Sequence, residues 1–150
     1  MSLDPVKLAS DLIKIKSITP HGQEAINLVK SILENHGFDC KILTFGEGED
    51  EVVNLYARYG KNSPNLCFAG HTDVVPPGPE NLWDTPPFQP EIRDGFLYGR
   101  GAADMKGALA AMMSKPPGSN DTAASQAFPH GVASAIEAVA GASTDEEARA

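Results

Sequence analysis

Two side chains that commonly serve metal centres, His71 and Asp73, lie two positions apart in the chain. Alternate residues of a β-strand point to the same side, so both side chains can face one site while Thr72 faces away. A histidine that binds a metal usually donates its second ring N–H to a carboxylate or a carbonyl, which fixes the tautomer. Asp73 is placed to accept that proton. The alternative is a histidine and an aspartate that end a strand and face solvent.

Asp104 is a second candidate, because it lies in a segment that also contains Gly99, Gly101 and Gly107. Glycine permits backbone angles and close approaches that other residues resist, as a loop wrapped around a metal ion requires. A carboxylate in such a loop can bridge two zinc ions. The alternative is a hairpin exit in which Asp104 caps the next helix. Neither the third glycine of a dinucleotide-binding loop nor the Gly-Lys-Ser/Thr order of a phosphate-binding loop is present.

A strand and a turn are predicted to position these residues. The apolar run from Leu66 to Gly70 is typical of a strand that is buried on both faces of a mixed or parallel sheet, and His71 follows it directly. Asp94-Gly95, between Glu91-Ile92-Arg93 and Phe96-Leu97-Tyr98, is a strong hairpin signal just before the glycine segment. A helix is predicted from Ala108 to Met113.

Two helices and two further strands are predicted before this region. Asp4 and Pro5 suit the N-cap and first position of a helix that runs to about Lys16. A second helix is predicted to end at Gly37, the residue best suited to a left-handed conformation. Strands are predicted over residues 38–43, half exposed, and over residues 52–58. This order of elements predicts an α/β fold, with a mixed sheet flanked by helices and a site at one sheet edge.

The composition changes after Met113. Residues 114–150 contain no Leu, Met, Tyr or Trp and are dominated by Ala and Ser. Pro116 and Pro117 are predicted to stop the preceding helix. The one later periodic segment, Val132 to Val139, is predicted to be a weak helix made largely of alanine. We expect this tail to add little to the core.

Residues 3–113 contain two long motifs and one short motif, and the distances between them along the chain match those in a known family. They are Ser17-Ile18-Thr19-Pro20, Phe68-Ala69-Gly70-His71-Thr72-Asp73-Val74-Val75-Pro76-Pro77-Gly78 and Leu97-Tyr98-Gly99-Arg100-Gly101-Ala102-Ala103-Asp104-Met105-Lys106-Gly107. A chain with these motifs resembles the zinc aminoacylase and carboxypeptidase family of M20-type metallopeptidases. The resemblance implies a dinuclear-zinc, aminopeptidase-like α/β catalytic domain, of which residues 1–113 would be the amino-terminal part. Residues 114–150 would be an atypical tail that is disordered or read from a shifted frame.

The resemblance also implies an activity and roles for the candidate residues. It implies a metal-dependent amide hydrolase that acts on a small N-acyl amino acid through two zinc ions, for which cobalt can substitute. His71 would bind one zinc, Asp104 would bridge both, and Asp73 would be the catalytic aspartate that orients His71. The Asp104–Met105 peptide would be cis. The complete family enzyme would be a homodimer.

The family takes its general base and its remaining ligands from later in the chain. Asp145-Glu146-Glu147 resembles the family's Glu-Glu pair, and a solvated acidic terminus is the alternative interpretation. We therefore expect this chain alone to have little or no hydrolase activity. A fragment that binds metal weakly, or only associates with a partner, is the alternative from a different functional class.

The composition argues against several other partners and compartments. With 12 Lys and Arg against 20 Asp and Glu the net charge is −8, and no basic run is present, so nucleic acid and anionic membranes are poor partners. Residues 1–16 carry charges among their apolar positions, which predicts neither a signal peptide nor a membrane span, and a cytoplasmic location is expected. Cys40 and Cys67 form no CxxC pattern and are expected to be buried thiols.

Overall fold

The computed structural model describes residues 3–48, 51–61, 63, 65–114 and 133–139. In chain order its elements are α1 (Pro5–Lys14), α2 (Gln23–Asn35), β1 (Asp39–Phe45), β2 (Val52–Tyr59), β3 (Asn65–His71), a 3-10 turn (Glu80–Leu82), β4 (Glu91–Arg93), β5 (Phe96–Tyr98), a π-type turn (Ala102–Lys106), α3 (Gly107–Met113) and β6 (Ala133–Val139). The predicted α/β class is confirmed. Among these described residues, every helix falls short of the length and apolar character that crossing a membrane requires.

Four of the strands form one mixed sheet in the order β1-β2-β6-β3. β2 is antiparallel to both β1 and β6, whereas β3 is parallel to β6. The register pairs His71, at the end of β3, with Val139, at the end of β6. The mixed sheet is as predicted, and β3 delivers His71 to the edge where β6 also ends.

The predicted helix over Val132 to Val139 is wrong, because the described part of this segment, Ala133–Val139, is strand β6. Alanine favours helix only weakly over other states, and tertiary context overrides such a preference. Here β6 lies between β2 and β3 and pairs with both. Hydrogen bonding on both sides satisfies its backbone along the whole strand.

Local signals mark the start of helix α1 and the end of helix α2. The side chain of Asp4 caps α1 and accepts hydrogen bonds from the backbone N–H groups of Val6 at 2.9 Å and Lys7 at 3.2 Å. The helix ends at Lys14, two residues before the predicted Lys16. Gly37 follows α2 with a φ of 82°, in the left-handed region as predicted.

One hydrophobic cluster joins all three helices to a single face of β2. Its fully buried side chains include Leu12 of α1, Val29 of α2, Leu55 of β2 and Leu109 of α3. Burying a side chain of this size stabilises the fold by about 1.5–3 kcal/mol. The cluster therefore fixes α1 and α3, which frame the candidate site, against the sheet.

The two strands at the edges of the described sheet are more exposed than predicted. Leu66 and Cys67 of β3 are exposed, so the prediction of a strand buried on both faces is wrong, and so is the prediction that Cys67 is buried. Ile42 of β1 is also exposed, although Cys40 is half-buried, and burial raises the pKa of its thiol. An apolar run predicts burial only where another layer or strand covers it, and β3 pairs with β6 alone among the described strands.

The predicted hairpin over residues 91–98 is confirmed. β4 and β5 pair from Glu91 with Tyr98 to Arg93 with Phe96. Asp94 and Gly95 both take positive φ values, 51° and 82°, as a two-residue hairpin turn requires. The hairpin leads directly into the glycine segment that carries Asp104.

Candidate metal centre

His71 and Asp73 share one site at the end of β3. The ring Nδ1 of His71 lies 3.1 Å from the main-chain oxygen of Asp73 and 3.4 Å from its carboxylate Oδ1. Thr72 between them is fully buried, and Asp73 is buried as well. Strand β3 ends at His71, so the contacts of the His71 ring, and not strand alternation, place Asp73 beside it. The main-chain oxygen of Asp73 makes the shorter contact with the imidazole, and the carboxylate stands close behind it.

A short irregular turn brings Asp104 to the other ring nitrogen of His71. Asp104 and Met105 depart from helical angles within the π-type turn, and the peptide between them is cis, as expected. The Oδ1 atom of Asp104 lies 2.9 Å from the Nε2 atom of His71, although the two residues are 33 positions apart. The Asp104 side chain is 88% exposed. Its carboxylate therefore faces open space while it contacts the ring.

The imidazole of His71 has an oxygen acceptor at each nitrogen. Both contacts are within hydrogen-bonding distance, and either ring nitrogen can donate a proton to the oxygen that faces it. A cation in place of the Nε2 proton would preserve the contact between Nδ1 and Asp73. This is the arrangement in which a histidine binds a metal through one nitrogen and is oriented through the other.

Two glycines allow the Asp104 turn to close. Gly101 has a φ of 81°, and a Cβ atom there would lie 2.5 Å from the Cγ1 atom of Val74. A Cβ atom on Gly107 would lie 2.5 Å from the carbonyl oxygen of Ala102. Both positions exclude a larger residue. At Gly101 the positive φ and the contact with Val74 both disfavour a side chain, whereas at Gly107 only the contact with Ala102 does. The interpretation of these glycines as close-approach positions is confirmed.

Lys106 ends the turn as a fully buried lysine. Its Nζ atom donates hydrogen bonds to the carbonyl oxygens of Leu12 at 2.8 Å and Ile15 at 3.0 Å. Burial lowers the pKa of Lys106 to about 8, and the charge of Asp73 opposes that shift. The ammonium form thus prevails at neutral pH, and it connects the turn to the end of α1.

The segment after α1 also holds the residues that follow β3. The buried hydroxyl of Ser17 donates to the carbonyl oxygen of Thr72 at 2.7 Å. The backbone N–H of Val74 donates to the carbonyl of Ser17 at 2.8 Å, and Ile18 and Val74 form a parallel bridge. The chain around Ser17 therefore contacts the segment that carries His71 and Asp73.

Comparison with known proteins shows which family and which enzymes this part of the chain resembles. Residues 67–115 match the family model of peptidase family M20/M25/M40. The succinyl-diaminopimelate desuccinylases of Wolbachia sp. subsp. Brugia malayi and of Anaplasma marginale are each 56% identical to this chain, over 113 and 111 residues respectively. That of Rhodospirillum centenum is 55% identical over 114 residues. Over these residues the chain is similar to peptidase family M20/M25/M40 and to these desuccinylases.

The matched part is a minority of each relative. The alignments cover 74–75% of this chain but only 28–30% of the three desuccinylases. Two solved structures, human carnosine dipeptidase 1 and the M20 family metallo-carboxypeptidase Sso-CP2 from Sulfolobus solfataricus, are similar in fold, each with a TM-score of 0.70 and 23% identity. They cover 89% and 91% of this chain, which in turn covers 31% and 30% of theirs. The described fold is therefore a portion of the M20 fold.

The M20 family implies a metal cofactor, and the described residues fit one metal ion as a half-site. Two ligands of a tetrahedral zinc at bond lengths of about 2.0–2.1 Å are about 3.3 Å apart. A small widening of the 2.9 Å contact between His71 Nε2 and Asp104 Oδ1 would admit the ion. Within the described ranges, no group of three or more His, Cys, Asp and Glu side chains is placed to hold a metal. Completing the coordination shell needs donors beyond His71 and Asp104.

The other candidates from the sequence stand apart from this pair or outside the described residues. His21 is exposed in a turn, and the His36 ring contacts the carbonyl of Ile32 at the end of α2, at 2.8 Å. His130 and the triplet Asp145-Glu146-Glu147 lie outside the described residues.

Sequence analysis did not single out Lys106 or Ser17 as residues of the M20 site. Each bonds to carbonyl groups that are far away in the sequence, so no local pattern predicts the contact. The one local signal is that uncharged residues, Gly107 to Met113, follow Lys106 directly.

Proposed function

We propose that this chain is part of a metal-dependent amide hydrolase that removes the succinyl group from N-succinyl-L,L-2,6-diaminopimelate. Such an enzyme would serve lysine and diaminopimelate biosynthesis. The observation that carries the proposal is the 2.9 Å contact between His71 Nε2 and Asp104 Oδ1, which joins the two M20 motifs into one potential ligand pair. The substrate is supported by the desuccinylases, of which those in this comparison are 50–58% identical to the chain.

Each site residue has a role that follows from its contacts. His71 would bind one zinc through Nε2, while its Nδ1 proton is held by Asp73. The exposed carboxylate of Asp104 would bridge two zinc ions, because its second oxygen is free to turn away from His71. His71 and Asp104 would hold zinc, or cobalt in its place, and the bound metal would supply Lewis-acid activation of water and of the amide carbonyl. The hydrolysis breaks the amide C–N bond and yields succinate and diaminopimelate.

Two other functions remain candidates. The same half-site would serve acetylornithine deacetylase or a peptidase, since a metal held by His71 and Asp104 would act on the scissile amide and not on the group that distinguishes these substrates. A non-catalytic fragment is the candidate from a different class, because a zinc site usually has three or four protein ligands and the described residues supply two. Assays of the succinylated, acetylated and dipeptide substrates would distinguish the enzymes from one another.

The proposed domain division places residues 1–113 in the catalytic domain and treats residues 114–150 as a separate tail. Strand β6 belongs to that tail by sequence but pairs within the sheet of the first part, between β2 and β3. Its carboxyl end lies beside His71, and five residues separate Val139 from Asp145. The homodimer is proposed for the complete enzyme only.

The deciding experiment is a titration of the purified chain with zinc, followed by measurement of the bound stoichiometry. His71→Ala and Asp104→Ala are expected to lose the bound zinc. The matched controls are His21→Ala and Asp84→Ala, which remove an exposed histidine and an exposed aspartate away from the site. Zinc binding that is lost in the first pair and retained in the second would support the half-site.

Two further outcomes bear on the proposal. A folded chain that binds no zinc would refute the metal site and favour the non-catalytic fragment. Turnover of the succinylated substrate by the metal-loaded chain would contradict our expectation that two described ligands are too few for catalysis. Glu146→Ala and Glu147→Ala belong in the same series, since weaker zinc binding would identify the acidic triplet as a source of ligands.

A further inference from the structure

The buried ammonium of Lys106 occupies the carboxyl end of helix α1. The last carbonyl groups of a helix lack partners within the helix and carry its partial negative charge. At this end the carbonyl oxygen of Leu12 accepts the Ile15 N–H at 3.2 Å and that of Ile15 accepts the Ser17 N–H at 2.8 Å. Each oxygen has a second lone pair, and Lys106 donates to these oxygens at 2.8 and 3.0 Å. A buried charge is costly unless hydrogen bonds satisfy it, and these two charge-assisted bonds do so here. Lys106 therefore fixes its own backbone to α1.

The carboxylate of Asp104 needs such an anchor because nothing encloses it. Its side chain is 88% exposed, so its position is set by the backbone of the turn rather than by packing around the carboxyl group. The turn is held at one end by Gly101, whose carbonyl accepts the Lys106 N–H at 2.9 Å. It is held at the other end by the Lys106 side chain. One residue, Met105, lies between the anchored Lys106 and Asp104.

The same end of α1 holds the other half of the ligand pair. Ser17 bonds to the carbonyl of Thr72, between His71 and Asp73, and Thr19 bonds to Val74 at 3.1 Å. Residues 12–19 are thus the shared support of both ligand-bearing segments. The distance between His71 and Asp104 depends on this support as well as on the sheet.

We propose that Lys106 is a positioning residue that anchors the Asp104 turn to the carboxyl end of α1 and thereby sets the distance between His71 and Asp104 before a metal binds. Its effect on metal affinity rests on the proposed function. Its effect on the contact between His71 and Asp104 in the metal-free chain is independent of the proposed function. The two effects are measured separately.

The experiment compares Lys106→Met with Lys14→Met in the full 150-residue chain. Methionine matches the lysine side chain as far as Cε and lacks the ammonium group, so the substitution removes both the positive charge and the hydrogen-bond donors. Lys14 is the matched control, because it lies at the same helix end but is exposed and pairs with Asp11. Cobalt affinity is measured from the absorption of the bound ion. The contact with Asp104 is measured in the metal-free chain from the ring 15N resonances of His71.

Lys106→Met is expected to bind cobalt at least tenfold more weakly than the parent chain, as changes behind metal ligands do. Its His71 Nε2 resonance should move toward the value seen in Asp104→Ala. Lys14→Met should match the parent in both measurements. A folded Lys106→Met chain with unchanged cobalt affinity and an unchanged His71 resonance would overturn the proposal.

Two provisions keep the outcomes distinct. If the parent chain binds no cobalt, the proposed function fails, and the His71 resonance alone decides the role of Lys106. If Lys106→Met does not fold, Lys106→Gln takes its place, because its amide is uncharged and one atom shorter than lysine and so cannot form the two charge-assisted bonds. An Asp104 contact and a cobalt affinity in Lys106→Gln equal to those of Lys14→Met would overturn the proposal.

Discussion

Replacing Gly107 with alanine sets two physical effects against each other. Gly107 is the first residue of α3, with φ −65° and ψ −47°, so alanine meets no backbone strain there. Helix propensity by itself favours alanine over glycine by about 1 kcal/mol. In the folded chain, however, the new Cβ would lie 2.5 Å from the carbonyl oxygen of Ala102, and real Cβ atoms essentially never approach within 3.0 Å.

The magnitude follows from what must move. The Ala102 oxygen has to retreat by at least 0.5 Å, from 2.5 to 3.0 Å, and it is the same oxygen that accepts the Gly107 N–H. Overpacking of this kind costs about 1–3 kcal/mol, and weakening the hydrogen bond adds about 0.5–1.5 kcal/mol. After the propensity gain is subtracted, we expect Gly107→Ala to lower the free energy of unfolding by about 1–3 kcal/mol.

Urea unfolding measures this difference from the midpoint, provided that the slope is unchanged. The control is Ala108→Gly at the next position, which is exposed and should lose about 0.5–1 kcal/mol through propensity alone. Its value calibrates the propensity term in this helix. A Gly107→Ala chain more stable than the parent by the amount that the control loses would refute the close contact and the turn geometry built on it.

Three further predictions concern the turn, the support beneath it and the surface of α1. Gly101→Ala should cost about 1–3 kcal/mol by urea unfolding, through its φ of 81° and the contact with Val74, and in a Val74→Ala background only the backbone cost of about 1–2 kcal/mol should remain. Ser17→Ala should cost about 1–3 kcal/mol by the same measurement, because the carbonyl of Thr72 is left buried without its donor, and a loss below about 0.5 kcal/mol would contradict this. The hydrogen bond from Lys7, with a smaller contribution from Lys14, lowers the pKa of Asp11 below its ordinary 3.8, so its stabilisation is present above that pH and is lost as the pH falls through the folded value. Asp11→Asn should therefore be about 0.3–1 kcal/mol less stable than the parent at pH 7 and equal to it near pH 2, as measured by thermal or urea unfolding at both pH values.

The helices and the hairpin could be predicted because their signals are local. An aspartate cap before Pro5, a helical repeat of apolar residues that ends before Gly37, and the Asp94-Gly95 turn each act within a few residues. The faces of the strands could not be predicted in this way. Leu66 to Gly70 has the composition of a buried strand, but burial depends on what lies beside the strand, and β3 is at the edge of the described sheet.

The sequence predicted the identities of the candidate ligands but not the distances between them. The alternation of a strand predicted His71 and Asp73 on one side, the surrounding glycines indicated Asp104, and the M20-like motifs implied roles for all three. The 2.9 Å approach of Asp104 to His71 arises only from the packing of the turn between α1 and the end of β3. The roles of these residues in metal binding and catalysis stay predictions for the titration to test.

By itself, the sequence determined the caps, turns, helix repeats and motif residues of this chain, since each depends on neighbours within one or two turns of the backbone. The tertiary structure alone decided that Lys106 bonds to carbonyls 94 and 91 positions away, and that Ser17 bonds to one 55 positions away. It also decided that an alanine-rich segment becomes strand β6. The physical reason is that a hydrogen bond between distant segments depends on how the whole core packs, whereas local patterns record only the preferences of a short stretch of chain.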